Sequence, residues 1–146
     1  MKSETRTLLC WAATFYALAG SLVAFDRPCG SDEPKRAEMA TDNLKNWKAV
    51  YGFYKRFLRC DDGGVAEGVS DAIAKLLANH WEHFSDFAKL ASTDKGFEQF
   101  VVRHVDETID SVHDAPKISE NARLHCPSNS VQLCKIIISK TVPQNK

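Results

Sequence analysis

Between Arg59 and Asp71, "RCDDGGVAEGVSD", the chain gathers four carboxylates (Asp61, Asp62, Glu67, Asp71), a serine, three glycines and a cysteine within thirteen residues. Residues of these types could hold calcium, cradle a phosphate or supply an acid–base pair. A calcium loop alternates oxygen ligands and closes on a bidentate Glu at its twelfth position. Counted from Asp61, the third, fifth and twelfth positions are Gly63, Val65 and Ala72, none of which carries a side-chain oxygen. A phosphate loop needs Lys directly after its last Gly, and here Val65 and Val69 follow the glycines. Glu67 and Asp71 lie four apart, so on a helix they share a face with Lys75. They would act as acid and base only if burial pushed one carboxylate toward neutrality. A solvated row with an Asp71–Lys75 pair is the simpler expectation.

The five histidines (His80, His83, His104, His113, His125) raise the question of metal. His80 and His83 are three apart, as are Asp110 and His113. A di-iron bundle repeats Glu-x-x-His on two helices, a motif this sequence lacks, and "HWEHF" (His80 to Phe84) is not the His-Glu-x-x-His of a metalloprotease. His80 and His104 fall on apolar stripes, where they read as core-edge residues and not as ligands. Nucleophilic catalysis leaves no Gly-x-Ser-x-Gly, and the cysteines are better used in disulfides than in a Cys–His pair. The expectation is therefore no catalytic residue, no metal and no cofactor: a binding protein and not an enzyme.

The elements that position these residues are helical. From Asp42, Leu44, Trp47, Val50, Tyr51, Tyr54, Phe57 and Leu58 step by three and four, as one face of a helix does. That helix should stop near Cys60, where Asp61 to Gly64 punctuate the chain. A second stripe runs Val65, Val69, Ile73, Leu76, Leu77, His80, Phe84, and a shorter segment carries Phe87, Leu90 and Ala91. After "STDKG", Phe97, Phe100, Val101, His104, Val105, Thr108 and Val112 form another. Ser31 or Asp32 can cap a short first helix with Pro34 in its opening turn. Asp114 can start one that ends before Pro127, and Ser128 can cap a last one. "KIIIS" (Lys135 to Ser139) is ambiguous between strand and helix. The fold expected is all-α, a compact bundle of five or six helices. Asp61 or Asp62 should cap the helix after the joint, and Gly64, Gly68 and Ala72 should form a seam where another helix approaches closely.

The N-terminus reads differently. Lys2 and Arg6 precede the uncharged run "TLLCWAATFYALAGSLVA", and Asp26, Arg27 and Pro28 restore polarity. This order describes a secretory signal peptide, residues 1–24, followed by a single domain, 25–146. Cleavage fits best after "ALA" (Ala17 to Ala19). Cleavage after Ala24 is a second option, with Leu22 a poor residue three positions before it, and an uncleaved anchor is the alternative. Export leaves Cys29, Cys60, Cys126 and Cys134, which implies two disulfides and a periplasmic or secreted protein. Of three possible pairings, Cys29–Cys60 with Cys126–Cys134 is preferred, because each brackets one local hairpin. Equal numbers of acidic and basic residues, 19 each, argue against a nucleic-acid surface.

"CDDGGVAEGVSDAIAKLL" (Cys60 to Leu77), "FEQFVVRHVDETI" (Phe97 to Ile109) and "CPSNSVQLCKI" (Cys126 to Ile136) resemble a group of small exported helical proteins of Gram-negative bacteria. In overall plan the chain is similar to periplasmic immunity proteins that plug the cleft of type VI secretion amidases. That resemblance implies a protein partner, an effector or cell-wall enzyme, but carries over no individual residue. The acidic turn and helix row themselves make Asp61, Asp62, Glu67 and Asp71 the expected contact residues. Removal of the signal should leave no stable membrane anchor. Insect odorant-binding proteins are the rival plan: their helices enclose apolar ligands, and Phe53, Tyr54, Phe57, Phe84 and Phe100 could line such a cavity. An enzyme using Glu67 and Asp71 is the remaining alternative.

Overall fold

The apolar steps of the second helix place Trp47, Val50, Phe53, Tyr54 and Phe57 on one side of α2 (Trp47–Phe57), and all five are buried. Its start is fixed locally, because the Asn46 side chain accepts a hydrogen bond from the Ala49 amide at 2.9 Å, pairing a donor that a helix start leaves free. The computed structural model in which these elements are seen describes residues 28–106 and 114–141. The expected signal segment, residues 1–24, lies outside them, as do Asp110 and His113.

Seven α-helices follow one another among the described residues, 84% of which are helical. Ahead of α2 lies α1 (Glu33–Thr41), with Asp32 at its N-cap and Pro34 in its first turn. A 3-10 turn, Leu58–Cys60, closes α2. Gly63 then begins α3 (Gly63–Asn79) at φ +46, a left-handed backbone that glycine adopts without the steric cost other residues meet. The chain continues through α4 (Phe84–Thr93), α5 (Lys95–Asp106), α6 (Asp114–Leu124) and α7 (Val131–Thr141). The isoleucine run of α7 is thus helix and not strand. The long α3 is central and packs against α1, α5 and α6, while α6 and α7 form a hairpin.

The helix count exceeds the expected five or six. The stripe from Val65 to Phe84 reads as one helix, but α3 ends at Asn79 and His80 leaves helical geometry (φ −132, ψ 41). A 3-10 turn, Trp81–His83, separates it from α4. Trp81 supplies the reason. Leaving the helix lets its indole N–H donate to the His125 carbonyl at 2.9 Å, and lets its ring stack on Phe84 with centroids 4.2 Å apart. A continued helix would have to leave that buried donor without this partner.

Both expected disulfides are formed, Cys29–Cys60 and Cys126–Cys134. The first ties the segment ahead of α1 to the turn after α2, and the second closes the α6–α7 hairpin. The core between them is aromatic: Trp47 stacks on Phe87 at 4.7 Å, and Phe87 meets Phe97 edge-on at 5.9 Å. No helix among the described residues is long and apolar enough to cross a membrane.

Candidate functional site

The turn between α2 and α3 sends its two aspartates in opposite directions. Asp62 is exposed and takes the N-cap position of α3 with extended backbone, but its side chain makes no capping bond. Asp61 turns inward, and its side chain is only 1% exposed. There its Oδ2 accepts a hydrogen bond from His104 Nε2 at 3.0 Å and pairs with the Arg103 guanidinium. The other imidazole nitrogen of His104, Nδ1, lies 2.8 Å from the hydroxyl of Ser70, itself buried on α3. Asp61, Ser70 and His104 thus join the joint, α3 and α5 through one buried polar chain. The expectation that Asp61 faces a partner does not survive this geometry, because its carboxylate is turned into the protein.

Serine, histidine and aspartate in contact invite comparison with a hydrolytic triad, which is recognised by geometry and not by order in the chain. In that template Ser bonds Nε2 and the carboxylate orients Nδ1. Here the two ends of the ring are exchanged, and Ser70 and His104 are both buried. An ionised Asp61 carboxylate can only accept, so the Nε2 it meets carries a proton, while the hydroxyl of Ser70 can donate or accept at Nδ1. The arrangement ties three segments together, with the Ser70 side chain buried between them. Asp61 Oδ1 is buried without a hydrogen-bond partner.

Sequence reasoning missed this trio. The signal was present in part: His104 lies on the buried stripe of α5, and a buried imidazole demands partners. Ser70 sits between the buried Val69 and Ile73, but its meeting with His104, 34 residues away, is a property of the packing.

A second polar node stands where α4 gives way to α5. Asp94 Oδ1 accepts from the Phe97 amide at 3.1 Å and so caps α5. The hydroxyls of Tyr51 and Tyr54 donate to the same carboxylate, at 3.2 and 3.4 Å, and Lys55 lies 3.6 Å away. Burial alone would raise the pKa of Asp94, but the Phe97 amide, the Tyr51 hydroxyl and the Lys55 charge outweigh it and hold it below the usual value. Burial, followed by the charge of Asp94, pushes Tyr54 up. Gly96 makes room for this node, since a Cβ there would lie 2.4 Å from the Tyr54 hydroxyl.

The other expected contact residues are on the outside of α3. Glu67 and Asp71 are exposed, and Asp71 pairs with Lys75 at 2.6 Å, as the four-residue spacing implies. The seam is occupied at Gly68 and at Ala72, which packs against the core, but not at Gly64. A Cβ on Gly68 would meet Thr41 Oγ1 at 2.8 Å, so the end of α1 rests there, whereas Gly64 has nothing within 4 Å. Beside Gly68 an open groove of about 410 Å³ runs between the α1–α2 connection and α3, bordered by Thr41, Lys45, Asp71, Lys75 and His80. Asp71 is the one expected contact residue on its wall.

Cys29, Glu33 and Cys60 place three donor atoms within 4.8 Å of one another. Both sulfurs are spent on a disulfide, and Glu33 accepts from Arg59 and from the Gly30 amide. These residues form a structural knot and not a metal centre. Compared with protein-family models, curated proteins and solved structures, the chain matches none. Any functional reading rests on its own geometry.

Proposed function

We propose that this protein is an exported, non-catalytic binding protein that inhibits a toxin or a cell-wall hydrolase. In this reading it acts in the periplasm or outside the cell. The observation that carries it is the outer face of α3, where Glu67 and Asp71 are both exposed and Asp71 borders the groove beside Gly68. Carboxylates on such a rim steer association and fix register against a basic cleft more than they add affinity. Asp62 extends the acidic edge at the start of the same helix. Two disulfides fit an oxidising compartment, and the helical, disulfide-linked plan is the one it has in common with the immunity proteins named above.

The small-ligand carrier draws less support. The aromatic residues that would line its cavity pack on one another: Phe53 on Phe57 at 5.3 Å, Tyr54 on Phe100 at 5.3 Å, Trp81 on Phe84 at 4.2 Å. An enzyme using Glu67 and Asp71 needs one carboxylate buried, and both are exposed.

The test is binding and inhibition of an effector or hydrolase encoded by an adjacent gene, scored on peptidoglycan. A stoichiometric complex is expected, and Glu67→Lys with Asp71→Lys should slow its association at least tenfold at low salt. Absence of binding and inhibition, together with an intrinsic hydrolytic activity that Glu67→Ala or Asp71→Ala abolishes, would transfer the protein to the enzyme reading. Mass spectrometry of the native protein should find an N-terminus near Gly20 or Phe25, and an intact Met1 in the cytosol would overturn export.

A further inference from the structure

His80 belongs to the apolar stripe by spacing, yet its side chain is 56% exposed, because α3 stops one residue before it. The 3-10 turn that follows changes its neighbours. A backbone bond from the His83 amide to the His80 carbonyl at 3.0 Å closes the turn, and the imidazoles of His80 and His83 both reach the same Glu82 carboxylate. Glu82 reaches between them. Its Oε1 lies 3.3 Å from His80 Nδ1 and 3.7 Å from His83 Nε2. The second nitrogen of His83, Nδ1, faces Asp86 Oδ2 at 3.9 Å from the first turn of α4.

We propose that His80, Glu82 and His83 form a surface site for a divalent transition-metal ion of the zinc class, with Asp86 orienting His83 from behind. Two imidazoles and one carboxylate are a donor set suited to zinc, nickel or copper, and poorly suited to calcium or magnesium, which take oxygen. A metal-bound histidine commonly donates its remaining ring N–H to a carboxylate, which fixes the tautomer and aims the free nitrogen. Asp86 lies on that side of His83, 3.9 Å from Nδ1, and would have to draw closer to accept such a bond. Water would complete the four-coordinate shell.

The site rests on a fixed base. Directly beneath it, Trp81 is anchored to the His125 carbonyl and stacked on Phe84. The end of α3 is held by Asn121, whose side-chain amide donates to the carbonyls of Leu77 and Ala78 at 2.9 and 3.0 Å. The two imidazole nitrogens now flank one carboxylate oxygen, at 3.3 and 3.7 Å. All three donor side chains are exposed and so free to turn toward one ion. His80 also borders the groove beside Asp71, so an ion held here would add positive charge at that rim.

Isothermal titration of the full chain with zinc chloride at pH 7.5, repeated with nickel and with calcium, tests the proposal. One zinc ion should bind, nickel should compete, and calcium should give no heat. His83→Ala and His80→Ala should each weaken zinc at least a hundredfold, Glu82→Gln about tenfold, and Asp86→Asn about tenfold through its orienting contact, whereas His125→Ala should leave binding unchanged. All four substituted site residues are exposed, so circular dichroism of the variants should match the parent. Zinc binding that is absent in the parent, or that persists undiminished in the His80→Ala/His83→Ala double variant, overturns the site. Equal response to calcium overturns its assigned class.

Discussion

Replacing Asp61 by Ala separates a buried structural carboxylate from a surface one. The substitution removes the acceptor of the His104 Nε2–H bond, a charge-assisted contact worth about 1.5–3 kcal/mol, and leaves the buried imidazole donor unpaired at a cost of roughly 1–3 kcal/mol. Arg103 loses its partner too, but its side chain is 50% exposed and regains water at little cost. Against these losses stands relief from burying a carboxylate whose Oδ1 has no partner, about 1–2 kcal/mol. The balance is a destabilisation of about 2–4 kcal/mol. The neighbouring Asp62→Ala, exposed and without a side-chain cap bond, should change stability by less than about 0.5 kcal/mol. Urea denaturation at neutral pH, followed by far-ultraviolet dichroism, reads both, and the slope should be unchanged so that midpoints compare directly. If Asp61→Ala falls within about 0.5 kcal/mol of the parent, the buried chain through His104 is not a stabilising device and the reasoning fails.

Gly68→Ala should destabilise by about 1–2 kcal/mol despite the helix propensity it gains, because its Cβ meets Thr41 at 2.8 Å; Gly64→Ala, in open space, should be neutral or stabilise by up to about 0.5 kcal/mol in the same denaturation assay. Glu33 is held from an ordinary 4.5 down to about 2, first by Arg59 and then by the Gly30 amide. A carboxyl with a depressed pKa stabilises the fold above its unfolded value and loses that contribution as pH falls through the folded one. The stability difference between the parent and Glu33→Gln should therefore be constant above about pH 5 and vanish toward pH 2, as acid titration of thermal unfolding can show. Removing Cys126–Cys134 as a double Ser variant should cost about 2–3 kcal/mol, and removing Cys29–Cys60, which closes the longer loop, about 3–4 kcal/mol if strain is small, measured by denaturation under non-reducing conditions.

The stripes of α2 and α5 could be read from the sequence because burial on one helix face repeats every three to four residues, and the same spacing placed the Asp71–Lys75 pair correctly. The disulfide pairing followed from locality. Periodicity could not say that α3 ends at Asn79, since His80 and Phe84 continue its phase; the demand of the Trp81 indole for a carbonyl 44 residues away decides that. Nor could it distinguish Asp61 from Asp62. Adjacent aspartates in one turn are equivalent until Gly63 takes a left-handed backbone and sends the chain on. Only then does one carboxylate meet His104 and the other meet water.

The Cys29–Cys60 bridge has a consequence for what a protease can do to this molecule. It encloses α1, α2 and the exposed connection between them, where Lys45 stands in the open. A cut after Lys45 yields two peptides that remain one covalent body, with α1 still seated on Gly68 and α2 still threaded through the aromatic core. The break becomes a change of connectivity instead of a loss of parts, and the pieces separate only when a reductant reaches the sulfur bridge. A protein built this way can be nicked at an exposed turn and still hold its parts together.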